Sequence, residues 1–390
     1  MKINFMPLGL LMLALSGLNA SASWENVSSS SLDQSFSLLA STSIGILYAF
    51  GNAYNSGKYG ELVLASSSDF GRTWQESDRL RDPSRFNLYD GPSSVFVSKS
   101  GDLFELATMN VYTDSTTHWV IRKTESTGKF KQVDDVVAAR NFFFLGGPAD
   151  MAQNSSGTLF VAGTFQVNTN ESRTLIRTSD ASGENWKTLS TLPQTNAYST
   201  CRADKIAIDK LDTLYVGQTC FDDGDTRTVW TEIYESKDSG STWKSLDDII
   251  LSTTGSAPSI SSILFTLSGD VIYSISMPDW TVRMHNHQTG EWKTTDHFLC
   301  GAPNDFDHEC ELNALMLDSV TQQIWAIGSK FEKTAPRWIT RVSADGGLTW
   351  TENDSIPGEG FSLVQDALGN IYAAGNDIDR RSTTIRKLVR

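Results

Sequence analysis

Two aspartates stand where carboxylates could perform chemistry. Asp150 in "GGPADMA" and Asp204 in "CRADKIA" each lie at the start of an apolar stretch, where most comparable stretches have Ser, Ala or a larger apolar residue. A pair of carboxylates suits glycoside hydrolysis, in which one acts as acid and the other as base or nucleophile. The alternative is that both accept hydrogen bonds from loop amides. We treat Asp150 and Asp204 as candidate catalytic residues.

Three arginines lie in loops that lead into apolar stretches of the same kind. They are Arg85 in "DPSRFNLYDGPS", Arg140 in "AARNFFFLGG" and Arg202 in "CRADKIA". A guanidinium group can bind a carboxylate through two parallel hydrogen bonds, so these residues are candidate ligand contacts. The alternative is that they are solvated cations that pair with acidic surface groups.

An acidic loop, "CGAPNDFDHECEL" (300–312), contributes two more candidate ligand contacts, Asp307 and Glu311. Its oxygen-rich side chains could bind Ca²⁺ or a basic group of a partner, but the ligand order of an EF-hand is absent. We therefore predict no metal site and no cofactor. The acidic stretch "CFDDGDTR" (220–227) has the simpler interpretation of a hydrophilic hairpin tip.

Aromatic residues in the same group of loops favour a binding role. Tyr89, Phe142 and Phe143 are the main candidates, and we also expect exposed rings at Tyr54, Tyr59, Tyr112 and Trp280. Aromatic rings stack on sugar faces and anchor protein interfaces. Three consecutive phenylalanines in "NFFFLGG" cannot all be buried by the alternation of a strand.

The elements that position these residues are marked by a repeated turn, Ser-x-Asp-x-Gly-x-Thr-Trp. It occurs as "SSDFGRTW" (67–74), "SKDSGSTW" (236–243) and "SADGGLTW" (343–350), and degraded copies end at Phe130, Trp186 and Trp292. Ser and Asp can hydrogen-bond the turn backbone, Gly supplies an unusual backbone angle, and Trp can cover the turn. We assign a structural role to Ser67, Asp69, Gly71, Trp74, Ser236, Asp238, Gly240, Trp243, Ser343, Asp345, Gly347 and Trp350.

The repeats predict an all-β fold. Each turn is preceded by one apolar strand, and a hairpin of two apolar strands precedes that strand, in seven copies between residues 38 and 375. The last copy ends at the C-terminus without its fourth strand, which the segment 23–29 can supply. We predict a seven-bladed β-propeller of four-stranded antiparallel blades, closed by pairing of the N- and C-terminal strands. Residues 23–390 form this one domain.

The turn resembles the Asp-box, or bacterial neuraminidase repeat, of sialidases and related propellers. The resemblance covers the whole chain after the N-terminal segment and implies that the box lies between the third and fourth strands, on the face away from the active site. Sialidases also carry a Phe/Tyr-Arg-Ile-Pro motif on the first inner strand. The corresponding stretch, "QSFSLLASTS" (34–43), has no Arg. The resemblance therefore implies a member of this group that is not a sialidase.

Residues 1–22 have the layout of a secretory signal peptide, with one Lys, an apolar run and Ala20-Ser21-Ala22. No later stretch is long and apolar enough to span a membrane. Four cysteines suit an oxidising compartment, and their order suggests the disulfides Cys201–Cys220 and Cys300–Cys310, although three pairings are possible. A net charge of −14 argues against nucleic acid as a partner. We expect an exported, periplasmic or extracellular monomer.

Together these features predict a binding module whose loop face holds a glycan or a protein ligand, rather than an enzyme. The alternatives are a divergent glycoside hydrolase and an extracytoplasmic assembly scaffold. The hydrolase requires Asp150 or Asp204 in a pocket with a second carboxylate. The scaffold requires an extended apolar or acidic patch away from the propeller axis.

Overall fold

A computed structural model describes residues 22–30, 34–54, 60–80, 87–111, 116–125, 128–139, 146–168, 171–193, 199–222, 228–252, 258–277, 279–300, 309–332, 335–377 and 382–390. Within them the chain forms seven four-stranded antiparallel sheets and no helix, which confirms the predicted fold class. The strand β1 (Ser23–Ser30) precedes blade 1, which consists of β2 (Gln34–Ser41), β3 (Leu47–Tyr54), β4 (Gly60–Ser67) and β5 (Gln75–Leu80).

The next five blades repeat this order from the innermost to the outermost strand. Blade 2 is β6 (Asn87–Val97), β7 (Leu103–Val111), β8 (Thr116–Thr124) and β9 (Phe130–Ala139). Blade 3 is β10 (Gly147–Gln153), β11 (Leu159–Asn168), β12 (Glu171–Ser179) and β13 (Lys187–Thr191). Blade 4 is β14 (Ser199–Ile208), β15 (Leu214–Asp222), β16 (Thr228–Ser236) and β17 (Lys244–Ser252).

Blade 5 is β18 (Ser259–Phe265), β19 (Val271–Ser276), β20 (Trp280–His285) and β21 (Trp292–Phe298). Blade 6 is β22 (Cys310–Leu317), β23 (Ile324–Lys330), β24 (Arg337–Ser343) and β25 (Thr351–Pro357). Blade 7 is β26 (Glu359–Gln365), β27 (Ile371–Asp377) and β28 (Ser382–Val389), and β1 completes it as the outermost strand. The chain termini therefore close the ring as predicted, and the inner strand β26 contacts β2.

The hydrophobic core lies between the blades rather than at the centre of the ring. Seven clusters of buried apolar side chains each join two neighbouring blades, one cluster for every interface. The middle strands of each blade are buried on both faces, because a blade packs against a neighbour on either side. Both predicted disulfides are present, with Cα–Cα distances of 4.1 Å for Cys201–Cys220 and 5.8 Å for Cys300–Cys310.

Arginine–aspartate pairs link five of the seven blade interfaces. An arginine on the third strand of one blade binds an aspartate on the outermost strand of the preceding blade, at N–O distances of 2.6 to 2.8 Å. The pairs are Arg122–Asp78, Arg177–Asp134, Arg283–Asp247, Arg341–Asp296 and Arg386–Asp354. In each pair the aspartate stands four residues after the aromatic that closes a repeated turn.

The repeated turns join the third and fourth strands. In the turn of blade 4, Ser236 donates its hydroxyl to Asp238 (2.8 Å) and accepts the Gly240 N–H (2.8 Å). The Asp238 carboxylate accepts the N–H and the hydroxyl of Thr242 at 2.8 and 2.6 Å. Gly240 has φ +86°, and a Cβ there would lie 2.6 Å from a methyl carbon of Leu189 in blade 3. Glycine is therefore required both by the backbone angle and by the contact between blades.

Acid is expected to destabilise the protein through these turns. The hydroxyl of Thr242, then its N–H and the Ser236 hydroxyl, lower the pKa of Asp238 to about 2, and Thr73 acts likewise on Asp69. An unfolded aspartate has a pKa of about 3.9. The unfolded chain therefore binds more protons between these two values, and stability falls as the pH falls from about 4 to about 2.

An Asp238→Asn variant tests this expectation in thermal melts at pH 7, 4 and 2. Its melting temperature should lie below that of the wild type at pH 7, and the difference should shrink below pH 4. A difference that does not depend on pH would contradict the role given to the carboxylate charge.

Candidate functional site

The inner strands begin on the face opposite the repeated turns, and their first residues surround the entrance to the central channel. We call this region, formed by the starts of β2, β6, β10, β14, β18, β22 and β26, the channel mouth. Every inner strand has a register shift here that leaves one residue unpaired. These residues are Ser37, Ser93, Ala149, Asp204, Ser261, Asn313 and Phe361. A second shift in β6 also leaves Asp90 and Gly91 unpaired. Such bulges re-aim side chains and are common beside active sites.

Two glutamates occupy equivalent positions at the mouth, in neighbouring blades. Glu311 and Glu359 each stand two residues before the bulge residue, on β22 and β26 respectively. Burial, and then the negative charge of Glu359, raise the pKa of Glu311. Burial also raises the pKa of Glu359, whose side chain makes no hydrogen bond to another described residue. Both carboxyl groups therefore hold a proton more strongly than an exposed glutamate does.

Asn313 lies between these two strands. Its side-chain amide donates to the Gly360 carbonyl (2.8 Å) and thereby ties blade 6 to blade 7. A hydrogen bond between Asn313 and Glu311 partly opposes the rise in the pKa of that carboxyl. Glu311, Asn313 and Glu359 thus form a polar group on adjacent inner strands.

Asp204 is a bulge residue of blade 4, and its carboxylate is extensively bonded. It accepts the Thr219 hydroxyl (2.5 Å), the Ile260 N–H of blade 5 (3.0 Å) and the Nε–H of Arg202 (3.2 Å). Burial raises its pKa, while the Arg202 charge and these hydrogen bonds oppose the rise. Its side chain is only 5% exposed. These contacts agree with the alternative interpretation of Asp204, in which its carboxylate accepts structural hydrogen bonds instead of acting in catalysis.

Arg202 is the more accessible member of this pair, since 32% of its side chain is exposed. One of its terminal nitrogens donates to the Pro258 carbonyl (2.5 Å), and the guanidinium lies 5.7 Å from the centre of the Phe221 ring. The guanidinium is thereby held at the mouth with an exposed edge. It can contact a ligand there.

Asp150 lies immediately after the bulge of blade 3. It accepts the Ser94 hydroxyl of blade 2 (2.8 Å) and the Ile206 N–H of blade 4 (3.4 Å). The carboxylate therefore joins three inner strands. Asp150 and Asp204 both lie at the mouth, on adjacent blades, but each is engaged by neighbouring strands.

Several expected contacts fall outside the described part of the chain. Arg85, Arg140, Phe142, Phe143 and Asp307 lie there, as do Tyr59 and Tyr112, and only the backbone of Tyr54 and Tyr89 is described. The expectation for Trp280 is wrong. Its ring is 0% exposed and packs at 5.9 Å from Phe298, because this position of β20 faces the core between blades 5 and 6.

In the described ranges no group of three or more His, Cys, Asp or Glu side chains could hold a metal ion. The same ranges contain no helix that could cross a membrane.

Glu359 and the arginine–aspartate pairs were missed from the sequence. A signal for Glu359 was present, because "CELNALML" and "EGFSLVQ" place a glutamate at the same point of two repeats. The aspartates were detectable at a constant distance after the turn aromatics. In both cases the repeats had to be aligned at the level of single residues.

No family model and no curated protein matches this chain. Solved structures do match it over most of its length. An α-L-arabinofuranosidase of Fusarium graminearum, in complex with an iminosugar inhibitor, is 12% identical with a TM-score of 0.51 and coverage of 92% and 93% of the two chains. An α-L-arabinanase of Penicillium chrysogenum complexed with arabinobiose is 14% identical, with a TM-score of 0.52 and the same coverage.

A xyloglucanase of glycoside hydrolase family 74 from Xanthomonas campestris is 15% identical, with a TM-score of 0.58. The match covers 93% of this chain and 55% of the xyloglucanase. At these identities the likeness shows a shared propeller fold. The chemistry of the site must be argued from its own residues.

Proposed function

We propose that this protein binds a glycan at the channel mouth. The observation that carries the proposal is the group of Glu311, Asn313 and Glu359 on neighbouring inner strands. Carboxylates and amides can exchange several hydrogen bonds with the hydroxyl groups of one sugar. Arg202 adds an exposed donor elsewhere on the same mouth. The three fold neighbours described above are glycoside hydrolases. This likeness supports a sugar as the ligand, but the proposal depends on the residues of the site.

Binding of the purified protein to a broad glycan array tests the proposal. We expect one class of glycan to be retained, and we expect Glu311→Ala to weaken its binding at least tenfold. The reason is that a hydrogen bond to a charged group contributes about 1.5–3 kcal/mol, and about 1.4 kcal/mol corresponds to a factor of ten. Glu184→Gln is the control, because Glu184 lies on the opposite face with 48% of its side chain exposed.

Two results would contradict glycan binding at the mouth. One is an array on which the wild type retains nothing above background. The other is retention that Glu311→Ala and Arg202→Ala leave unchanged, which would place the sugar elsewhere on the protein.

The second candidate function is hydrolysis of the bound glycan, and the raised pKa values of Glu311 and Glu359 favour it. A carboxyl group that keeps its proton can protonate a leaving oxygen, while its neighbour activates water or attacks the sugar. Glu311 suits the acid, because burial and the neighbouring charge both favour its protonated form. Glu359 then acts as base or nucleophile. This pair replaces Asp150 and Asp204, whose carboxylates are occupied by hydrogen bonds.

We further propose that the chain is an Asp-box propeller without sialidase activity, and that it works outside the cytoplasm. The hydrogen bonds of the repeated turns support the first point. The two disulfides and the predicted signal segment support the second, since disulfides persist in oxidising compartments.

A further inference from the structure

The face opposite the channel mouth, which carries the repeated turns, exposes an unusual amount of apolar surface. Eight of the twelve exposed large apolar side chains of the described residues lie on it. Five of them form an arc over the adjacent blades 4, 5, 6, 7 and 1, each in the turn between the first and second strands. They are Leu211, Leu267, Val320, Leu368 and Ile44, with exposed fractions of 73%, 71%, 61%, 71% and 80%. The same turn has Ser98, Lys99 and Ser100 in blade 2, and Ser155 and Ser156 in blade 3.

A groove of about 790 Å³ opens at one end of this arc, between blades 4 and 5. Leu211 and Leu267 stand on its two rims. Its floor is aromatic: the rings of Tyr215 and Phe265 lie 5.1 Å apart, and Trp292 lies 4.9 Å from His285. The groove has the volume and apolar lining of a ligand site.

The turn of blade 5 explains why the groove exists at this interface. In the turns of blades 3, 4 and 6, a Cβ on Gly183, Gly240 or Gly347 would lie 2.4 to 2.6 Å from a side chain of the neighbouring blade. The blade 5 turn, "HNHQTGEW", lacks the aspartate, and a Cβ on its Gly290 would meet nothing within 4 Å. Gly128, in the blade 2 turn that also lacks the aspartate, is equally open. Loss of the aspartate therefore accompanies a turn that does not reach the preceding blade.

Charge distinguishes this groove from the rest of an acidic protein. Lys237 and Lys244 line it with 73% and 76% of their side chains exposed, and Lys210 lies on the rim beside Leu211. The first two share one partner, Glu235, at 3.6 and 3.7 Å. Asp209 also lines the groove, so its three lysines face two carboxylates. The groove thus combines apolar surface with a small excess of positive charge, although the chain has a net charge of −14.

We propose that this groove docks a linear segment of a partner protein in which an apolar side chain is flanked by acidic residues. The apolar side chain lies on the aromatic floor between Leu211 and Leu267, and the acidic residues pair with Lys237 and Lys244. The exposed arc continues the contact toward Val320 and Leu368. The site lies on the opposite face from the glycan site and is independent of it.

A displayed library of random 12-residue peptides, selected on the full protein, tests the proposal. We expect enriched peptides to carry an aliphatic or aromatic residue next to Asp or Glu. A synthetic copy of the most enriched peptide should bind at least tenfold more weakly to Lys237→Glu/Lys244→Glu and to Leu267→Ser. Binding should also weaken as salt is raised, because exposed charges are screened.

Lys131→Glu is the matched control, because this lysine lies on the same face in blade 2 with 40% of its side chain exposed. It should leave peptide binding unchanged. All substituted residues are exposed, so unchanged melting temperatures will show that the variants are folded.

Three outcomes would overturn the proposal. In the first, selection on the wild type enriches no peptides beyond those obtained on the Lys237→Glu/Lys244→Glu variant. In the second, the enriched peptides lack acidic residues. Alternatively, sedimentation shows a dimer that Leu267→Ser abolishes, which assigns the surface to a second copy of the chain. A negative result on the glycan array would not affect this test, because the groove lies on the face opposite the channel mouth.

Discussion

Replacement of Glu311 by glutamine is expected to lower kcat/KM by a factor of about 10²–10⁴, the usual contribution of a general acid, in the hydrolysis proposed above as the second candidate function. Glutamine keeps the size of the side chain but carries no transferable proton. Aryl glycosides with weakly basic leaving groups should retain most of their turnover, because their departure requires no protonation. Steady-state kinetics with both kinds of substrate measure the difference.

The pH profile of the same reaction gives a second readout. A general acid works in its protonated form, so the rate is full below its pKa and falls as the pH rises through it. In Glu359→Gln the neighbouring negative charge is gone. The pKa of Glu311 should therefore fall, which an NMR titration of the glutamate carboxyl can follow. Full activity of Glu311→Gln on glycans with unactivated leaving groups would rule out its role as the acid.

Replacement of Arg177 by tyrosine is expected to destabilise the protein by about 3 kcal/mol. Arg177 binds both oxygens of Asp134 at 2.7 Å, and the two side chains are only 11% and 10% exposed. Loss of the arginine leaves a carboxylate between two blades without its opposite charge. Urea unfolding monitored by tryptophan fluorescence measures the change.

The chain itself supplies the design of the compensating variant. The interface between blades 3 and 4 has Ser190 and Tyr234 at the positions where five other interfaces have aspartate and arginine. The double variant Arg177→Tyr/Asp134→Ser copies this natural pair and should recover most of the lost stability. Arg173→Ala, which removes a 43% exposed arginine paired with Glu171, serves as the control and should change stability by no more than about 1 kcal/mol.

Equal destabilisation in the single and the double variant would show that the two residues are not coupled. In that case the arginines would contribute through packing alone. A double-mutant cycle with Asp134→Ser separates these explanations.

These expectations differ in how far they follow from the sequence. The order of the cysteines suggested both disulfides, among three possible pairings. The strands, the turns and the closure by β1 and β28 could be read from the repeats. Each depends on a local pattern of apolar residues that recurs in seven copies, or on the Ser-x-Asp-x-Gly-x-Thr-Trp turn, which occurs in three intact and three degraded copies. Because the same backbone conformation recurs in every repeat, the structure of an ambiguous copy can be assigned from the clearer copies.

The candidate site could be predicted from the sequence less completely than the fold, for a physical reason. A one-residue bulge decides which way the side chains of an inner strand point, and no residue type in the repeats marks it. Asp150 and Asp204 were placed at the correct end of adjacent inner strands. Their hydrogen bonds to Ser94, Ile206, Thr219 and Ile260 come from other strands and could not be inferred.

By itself, the sequence determined that this protein is a closed seven-bladed propeller, because the strand pattern is local and repeated. Only the tertiary structure decided what meets between blades: Glu311 with Glu359, Arg177 with Asp134, and Trp280 with the core instead of solvent. Glu311 and Glu359 lie 48 residues apart along the chain and Arg177 and Asp134 lie 43 apart, a separation set by blade packing rather than by periodicity. The open turn at Gly290 was also decided by the tertiary structure, since only the packing of blades shows that this turn does not contact blade 4.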